Sequence, residues 1–334
     1  MKIGLSYDLK EAVPLGQVHS DDALEEYDYP QTIELIAAAL EAGGNSVVRL
    51  GGGREFLNNV LRENVDIVFN IAEGRGNSRS REAQVPSVLE MLNIPYTGSD
   101  PQCLAICLDK PLTKKIVAGA GVLTPNWHVI TDKKGLYEIS WDEFSFPAII
   151  KPAHEGSSKG IRFGSIVHAP KQTVEVGAKL LERYRQPVMV EEFIAGDEVT
   201  VGIIGNLPPK VLGIMRVIPN KREDYFVYSL EVKRDWKTLV DYECPARLQK
   251  KALNKITESS LRAFQILGCR DFARLDFRVN PEGIPYFIEI NPLPGLGDYS
   301  DLVIIAIKLG WSYKALIGAI FSAAQERYPL CIQG

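Results

Sequence analysis

Residues 271–300 read DFARLDFRVNPEGIPYFIEINPLPGLGDYS. Two runs of alternating apolar and polar residues, 271–279 and 284–290, flank the turn signal NPEG, which is the pattern of a β-hairpin. Along the first run Arg274 and Asp276 share one face, and Leu275 and Phe277 take the other. Along the second, Glu289 points opposite Ile288 and Ile290, and Asn291 follows in phase with Glu289. If Pro281 and Glu282 form a two-residue turn, position 280 pairs with 283, which puts 274 opposite 289 and 276 opposite 287. Arg274, Asp276, Glu289 and Asn291 then gather on one face, whereas a slip of one residue scatters them. Two carboxylates and an amide oxygen backed by apolar residues make an oxygen-donor set, suited to Mg²⁺ shared with substrate phosphates and not to zinc. The arginine beside them is placed to hold a phosphate or a developing oxyanion. A solvated polar face would account for an arbitrary hairpin. The loop that follows, with asparagine and glycines just past the ligands, favours the chemical reading.

Upstream, strand FPAIIKP (146–152) ends on Lys151 and runs into HEGSSKG (154–160). Small residues let backbone N–H groups approach phosphate oxygens, and Lys151 adds a point charge. In isolation this is a weak signal, because the spacing is not that of a Walker A loop. Lys110 stands at a helix start in LDKPLTKK, where the dipole favours anions; three lysines within six residues also fit a solvated basic face. Glu191-Glu192-Phe193-Ile194 closes a β-rich run, with Glu198 shortly after. Adjacent carboxylates on a strand cannot share a face, so one of the pair turns inward, where with the backbone it can read an adenine edge and a ribose.

The 334 residues are 24% charged and 46% hydrophobic with a formal net charge of -4, an ordinary globular composition long enough for two or three domains. The mild acidity argues against nucleic acid as a partner. No apolar run reaches bilayer-spanning length, so no membrane is expected, and the first ten residues read as a strand start and not a signal peptide. The five cysteines lack framework spacing and imply reduced thiols in the cytoplasm; Cys103 and Cys107 read as buried small hydrophobes before they read as a metal site. Strand and helix alternate over 2–98, with strands at 2–6, 65–70 and 94–98 and helices from Pro30 and over 84–92, predicting a parallel sheet with helices on its faces. Helices are expected over 109–120, 170–184 and 246–267, and strands over 146–152, 161–167 and the runs PVMVEEFI, EVTVGIIG and KVLGIMRVI. Residues 219–243 are polar with little periodicity. The divisions are 1–98, 99–190 and 191–334.

The ordered set PYTGS…LDK, IIKPAHEGSSKG, VEEFIAGDEVTV and ARLDF…IEINPLPG resembles the D-alanine–D-alanine ligases of the ATP-grasp superfamily, over residues 64–325. The resemblance implies an ATP-grasp fold of mixed α/β and α+β class, in which an N-terminal parallel-sheet domain precedes two α+β domains that sandwich ATP. It implies Lys110 and Lys151 on the ATP phosphates, Glu155, Gly156, Ser157 and Ser158 in a loop closing over them, Glu191 through Ile194 at adenine and Glu198 at the ribose. Asp276, Glu289 and Asn291 become ligands of two Mg²⁺ ions, for which Mn²⁺ can substitute. Lys233 reaches the phosphoryl group, Arg274 and the amide of Gly295 stabilise a tetrahedral intermediate, and Ser300 holds the carboxylate of the second amino acid. The implied reaction is carboxylate–amine ligation of two small amino acids through an acyl phosphate, under a loop over 219–243 that excludes water. A homodimer is implied by the family alone.

Three features depart from the family. The segment SYDLKEAVPLGQVHS has no clean counterpart to the glutamate that binds the first substrate's ammonium, a role for which Glu11 and Glu25 are the candidates. Glu73 stands where the family has histidine, and Arg234 where it has tyrosine. These changes fall on the first amino acid's pocket and predict an altered acyl donor, with Glu73 and Arg234 either paired to each other or reading a charged substrate. The rivals are neutral drift around a D-alanine site and a nucleotide-binding regulatory protein without ligation, against which the retained Arg274 argues.

Overall fold

The computed structural model describes residues 1–13, 20–221 and 224–328. Three sheets organise it. The first is parallel, in the order β2-β1-β3, from β1 (Lys2–Ser6), β2 (Ser46–Gly51) and β3 (Ile67–Asn70). The second is antiparallel, in the order β4-β7-β5-β6, from β4 (Trp127–Ile130), β5 (Ala148–Pro152), β6 (Ile166–Val167) and β7 (Val188–Glu192). The third is antiparallel, in the order β10-β9-β8-β11-β12, from β8 (Asp197–Ile204), β9 (Lys210–Pro219), β10 (Val240–Glu243), β11 (Phe272–Val279) and β12 (Pro285–Asn291).

Local signals account for much of this. The helix Pro30–Glu41 opens on proline, which needs no hydrogen-bond partner there, and buries Ile33, Ile36, Ala37 and Leu40 at helical spacing. Gly44 follows in the left-handed region, φ 83°. The expected strand over 161–167 shrinks to Ile166–Val167, because 163–165 form a 3₁₀ turn in which Ser165 accepts from the Arg162 amide. The strand expected at 94–98 is reduced to a single bridge from Tyr96 to Val68. Residues 219–243 are not structureless: they hold the helices Leu230–Arg234 and Trp236–Leu239 and β10.

Two cores tie distant parts of the chain together. Ile3, Leu5, Ile67 and Phe69 of the parallel sheet share one with Leu302, Val303, Ile317 and Ile320. No single helix among the described residues is long and apolar enough to cross a membrane. The bent apolar pair Asp301–Lys308 and Tyr313–Arg327 supplies much of this core instead. The second core joins Cys103, Cys107 and Val117 to the third sheet and the helix Lys250–Ile266. There Cys269 brings a third thiol, 3.5 Å from the sulfur of Cys103 and buried with it. Cys331 lies outside the described residues.

Candidate active site

A cleft of about 1410 Å³, solvent at its mouth included, opens between the second and third sheets and reaches residues 25–28. Its floor is the β11–β12 hairpin, whose register differs from the expected one in two places. The loop has three residues, not two: the Asn280 amide donates to the Ile284 carbonyl at 3.0 Å. Gly283 turns left-handed at φ 76°, as such a loop requires. A bulge then inserts Ile288, so that Phe277 pairs with Phe287 but Asp276 with Glu289 and Arg274 with Asn291. Each change moves the pairing by one residue. Together they move it by two, which restores the shared polar face. The bulge also turns Ile288 into the cleft beside Glu289, while Phe287 and Ile290 both enter the core.

Charge on this floor is dense. Arg274 lies 2.8 Å from Asp276, 3.2 Å from Asp301 and 3.5 Å from Glu289. The Thr200 hydroxyl donates to Asp276 at 3.0 Å, and the Asn291 amide to Glu289 at 3.4 Å. Burial, reinforced by Glu289 and Asp301 against the pull of Arg274, raises the Asp276 carboxyl to about 7. Burial also works against ionisation of Glu289, but Lys110, Lys151 and Arg274 outweigh it and hold that carboxyl at about 2. Asp301 and Thr200 carried no sequence signal, since a helix start and a strand hydroxyl are ordinary there.

Of the two adjacent glutamates, Glu191 is the inward one. It is buried between Lys114 at 2.5 Å and Lys151 at 2.7 Å. Glu192 turns the other way and accepts from the Ser145 amide at 3.1 Å and the Asn126 side chain at 3.0 Å. The basic run also divides. Lys110 and Lys114, one helical turn apart, are buried, and only Lys115 has the solvated place expected of the run. Lys110 donates to the Glu155 carbonyl and sits 3.4 Å from Glu289. Burial pulls Lys114 down to about 8 although Glu191 opposes it. Sequence reasoning missed Lys114, whose one trace was its spacing of four from Lys110.

The 155–160 loop meets the cleft through Ser157 and Ser158, which hold φ of 53° and 58°. Left-handed backbone at two successive non-glycine residues is strained and persists only where the surroundings enforce it. Glu155 and Gly156 supply that enforcement behind the loop and do not line the cleft. Glu155 meets Lys159 at 2.5 Å, Gln186 at 2.6 Å and Arg81 at 3.2 Å. Glu26 accepts from the Gly156 amide at 2.8 Å and pairs with Arg81 at 2.5 Å and Lys159 at 3.2 Å. On its far side the loop is latched to the segment that follows β9: Ser158 donates to the Tyr228 carbonyl at 3.1 Å, and the Leu230 amide to the Ile161 carbonyl at 3.0 Å.

The helix Leu230–Arg234, capped by Ser229, brings Lys233 to the cleft. Burial and then the charge of Arg274 lower it to about 8. Arg234 points away, to Glu25 at 2.7 Å and Asp21 at 3.7 Å. The expected pairing with Glu73 is therefore not made: successive helical residues diverge, and only Lys233 faces inward. Glu73 lines the cleft, with its carboxyl driven well up by burial and by Glu82, Glu26 and Asp28. Of the two candidates near the start of the chain, Glu25 lines the cleft and Glu11 does not, but Glu26 and Asp28 join it there. The acidic run 21–28 was their only trace in the sequence. Phe193, Ile194 and Glu198 line the cleft; Glu198 holds Arg278 at 3.1 Å, whose guanidinium lies 4.3 Å over the Phe193 ring. Gly295 and Ser300 meet closely at the other end: a Cβ on Gly295 would stand 3.0 Å from the Ser300 hydroxyl.

A family profile described as "D-ala D-ala ligase C-terminus" matches residues 116–322. The chain is 35% identical over 292 residues to a D-alanine–D-alanine ligase of Aquifex aeolicus, covering 87% of this chain and 94% of the relative. It is 32% identical over 301 residues to the uncharacterised protein y4sG of Sinorhizobium fredii, covering 88% and 87%. A D-alanine–D-alanine ligase of Bacillus anthracis, solved complexed with ATP, shares the fold with a TM-score of 0.75 over 99% of both chains at 24% identity. By its sequence and its fold the chain belongs to the D-alanine–D-alanine ligase family.

Proposed function

We propose that the chain is an ATP-dependent carboxylate–amine ligase that joins two small amino acids through an acyl phosphate. One observation carries this reading: Arg274, Asp276, Glu289, Lys151, Lys233 and Ser300 come from distant segments and converge around one cleft. On this reading 1–98 presents the acyl donor, while 99–190 and 191–334 enclose ATP. The enzyme works in the cytoplasm, as a homodimer, with no nucleic acid or membrane partner.

Lys110 and Lys151 attract the phosphates, and amides of the loop holding Ser157 and Ser158 approach their oxygens. Because Glu191 is engaged by two lysines, it fixes Lys151, and the adenine edge falls to the backbone of Glu192, Phe193 and Ile194. Glu198 takes the ribose. Asp276, Glu289 and Asn291 fit Mg²⁺: all offer oxygen, and the raised carboxyl of Asp276 marks negative charge that a cation relieves. Two such ions, or Mn²⁺ in their place, would be held by these residues and neutralise phosphate charge during transfer.

The donor's carboxylate oxygen attacks the γ-phosphorus, the bond to the bridging oxygen breaks, and ADP leaves. Lys233 offsets charge on the phosphoryl group. The acceptor's amine, its carboxylate held by Ser300, then attacks the acyl carbon, with Arg274 and the Gly295 amide facing the oxyanion. The bond from carbon to the phosphate oxygen breaks, phosphate leaves, and the new amide nitrogen gives up its proton. The latch between 155–161 and 225–234 keeps water from the acyl phosphate. The test is incubation with Mg-ATP and paired D- and L-amino acids, measuring phosphate release and product mass. Release that needs both amino acids and matches the dipeptide formed is expected; ATP binding without such release would replace this reading with a regulatory one.

A further inference from the structure

At the end of the cleft built by residues 25–28 and Glu73, two carboxylates have no ion-pair or hydrogen-bond partner among the described residues. Four carboxylates line it: Glu25, Glu26, Asp28 and Glu73. Glu25 is paired with Arg234, and Glu26 with Arg81 and Lys159. Asp8, just behind, is paired with Arg75 at 2.9 Å. Among the described residues, nothing pairs with or donates to the carboxylates of Asp28 or Glu73. Asp28 is only 8% exposed, and what exposure it keeps is to the cleft. A carboxylate so buried is ordinarily hydrogen-bonded or paired, because its desolvation is otherwise unrelieved. Asp28 and Glu73 also repel each other, and Glu26 and Glu82 add to the field at Glu73. Lys10 and then Lys233 act on Asp28 from beyond pairing distance, and Arg81 acts on Glu73; Lys10 lies 3.9 Å from Glu25, Arg81 is paired with Glu26, and Lys233 belongs to the phosphoryl end of the proposed reaction.

We propose that the acyl donor is a diamino acid, its α-ammonium and its side-chain ammonium taken by Asp28 and Glu73. A single ammonium balances one of the two unpartnered carboxylates; a second cation on the side chain balances the other. The inference rests on the ligase reading for the donor's place but concerns charge alone. It accounts for Glu73 standing where the family has histidine, and it leaves Arg234 outside, committed to Glu25.

The test compares molecules that differ in one charge. Binding of ornithine and of norvaline, which has the same three-carbon side chain without the ammonium, each as both enantiomers, is measured by calorimetry on the protein loaded with a non-hydrolysable ATP analogue and Mg²⁺. Ligation is then measured with the same donors and alanine as acceptor. One enantiomer of ornithine should bind at least about ten-fold tighter than norvaline. Glu73→Gln should erase most of that difference and Asp28→Asn should weaken both ligands alike, with unfolding temperature checking that both variants fold. Equal or tighter binding of norvaline overturns the inference and leaves the ligase reading intact if ligation proceeds. Tighter ornithine binding without ligation upholds the acidic corner and removes the ligase reading.

Discussion

Lys114 and Glu191 illustrate how much the site depends on charges that never meet substrate. Removing one member of a buried ion pair strands the other, typically at about 3–5 kcal/mol. Glu191→Gln strands both Lys114 and Lys151 and should destabilise the fold by that order in denaturant titration, while Lys115→Ala, on the solvent face, should change it by less than about 0.5 kcal/mol. Lys233 sets a pH limb. Its charge is present below about 8 and lost above it, so kcat/KM for ATP should fall as pH rises through that value, and Lys233→Arg should move the limb to higher pH. Asp28 has the opposite consequence for stability. Burial first, then Asp8, raises its carboxyl from 3.8 to about 7, so ionisation costs the fold increasingly as pH climbs between those values. Asp28→Asn should therefore stabilise the free protein at neutral pH by at least about 1 kcal/mol, with the gain vanishing near pH 4. Lys114 and Asp28 went unmarked in the sequence for a common reason: a buried lysine or aspartate is written with the same letter as a solvated one, and only the folded surroundings distinguish them.

At the scale of elements, the hairpin was legible as a pattern and not as a geometry. Alternation placed Arg274, Asp276, Glu289 and Asn291 on one face, but it cannot count loop residues or foresee a bulge. The face survived because the two errors in register cancel in parity. The 155–160 loop was legible as small residues after a strand, whereas its support by Glu26, well over a hundred positions away, was not. That support is testable. Glu26→Gln keeps the size of the side chain but weakens its hold on Arg81, Lys159 and the Gly156 amide. It should raise KM for ATP by about ten-fold and speed tryptic cleavage at Lys159, with little change in kcat once ATP is saturating. Unaltered KM and cleavage would mean that Ser157 and Ser158 hold their left-handed conformation without this clamp.

Across the whole molecule, the fold class and the order of its parts followed from four ordered motifs, yet the way those parts lock together did not. Ile3 and Phe69 share a core with Ile317 and Ile320, a contact between chain ends that no local window contains. The same closure carries Glu25, Asp28 and Glu73 to a cleft whose chemistry lies mostly beyond residue 150. The departures from the family pattern, Glu73 above all, were legible as substitutions; that Glu73 and Arg234 part company required the three-dimensional arrangement. The central claim is that this cleft activates a carboxylate by phosphorylation. It is tested most directly by supplying the donor amino acid with oxygen-18 in its carboxylate, together with Mg-ATP and an acceptor, and weighing the phosphate released. One labelled oxygen in each phosphate, in step with peptide formed, is the predicted result; released phosphate free of label would contradict the account.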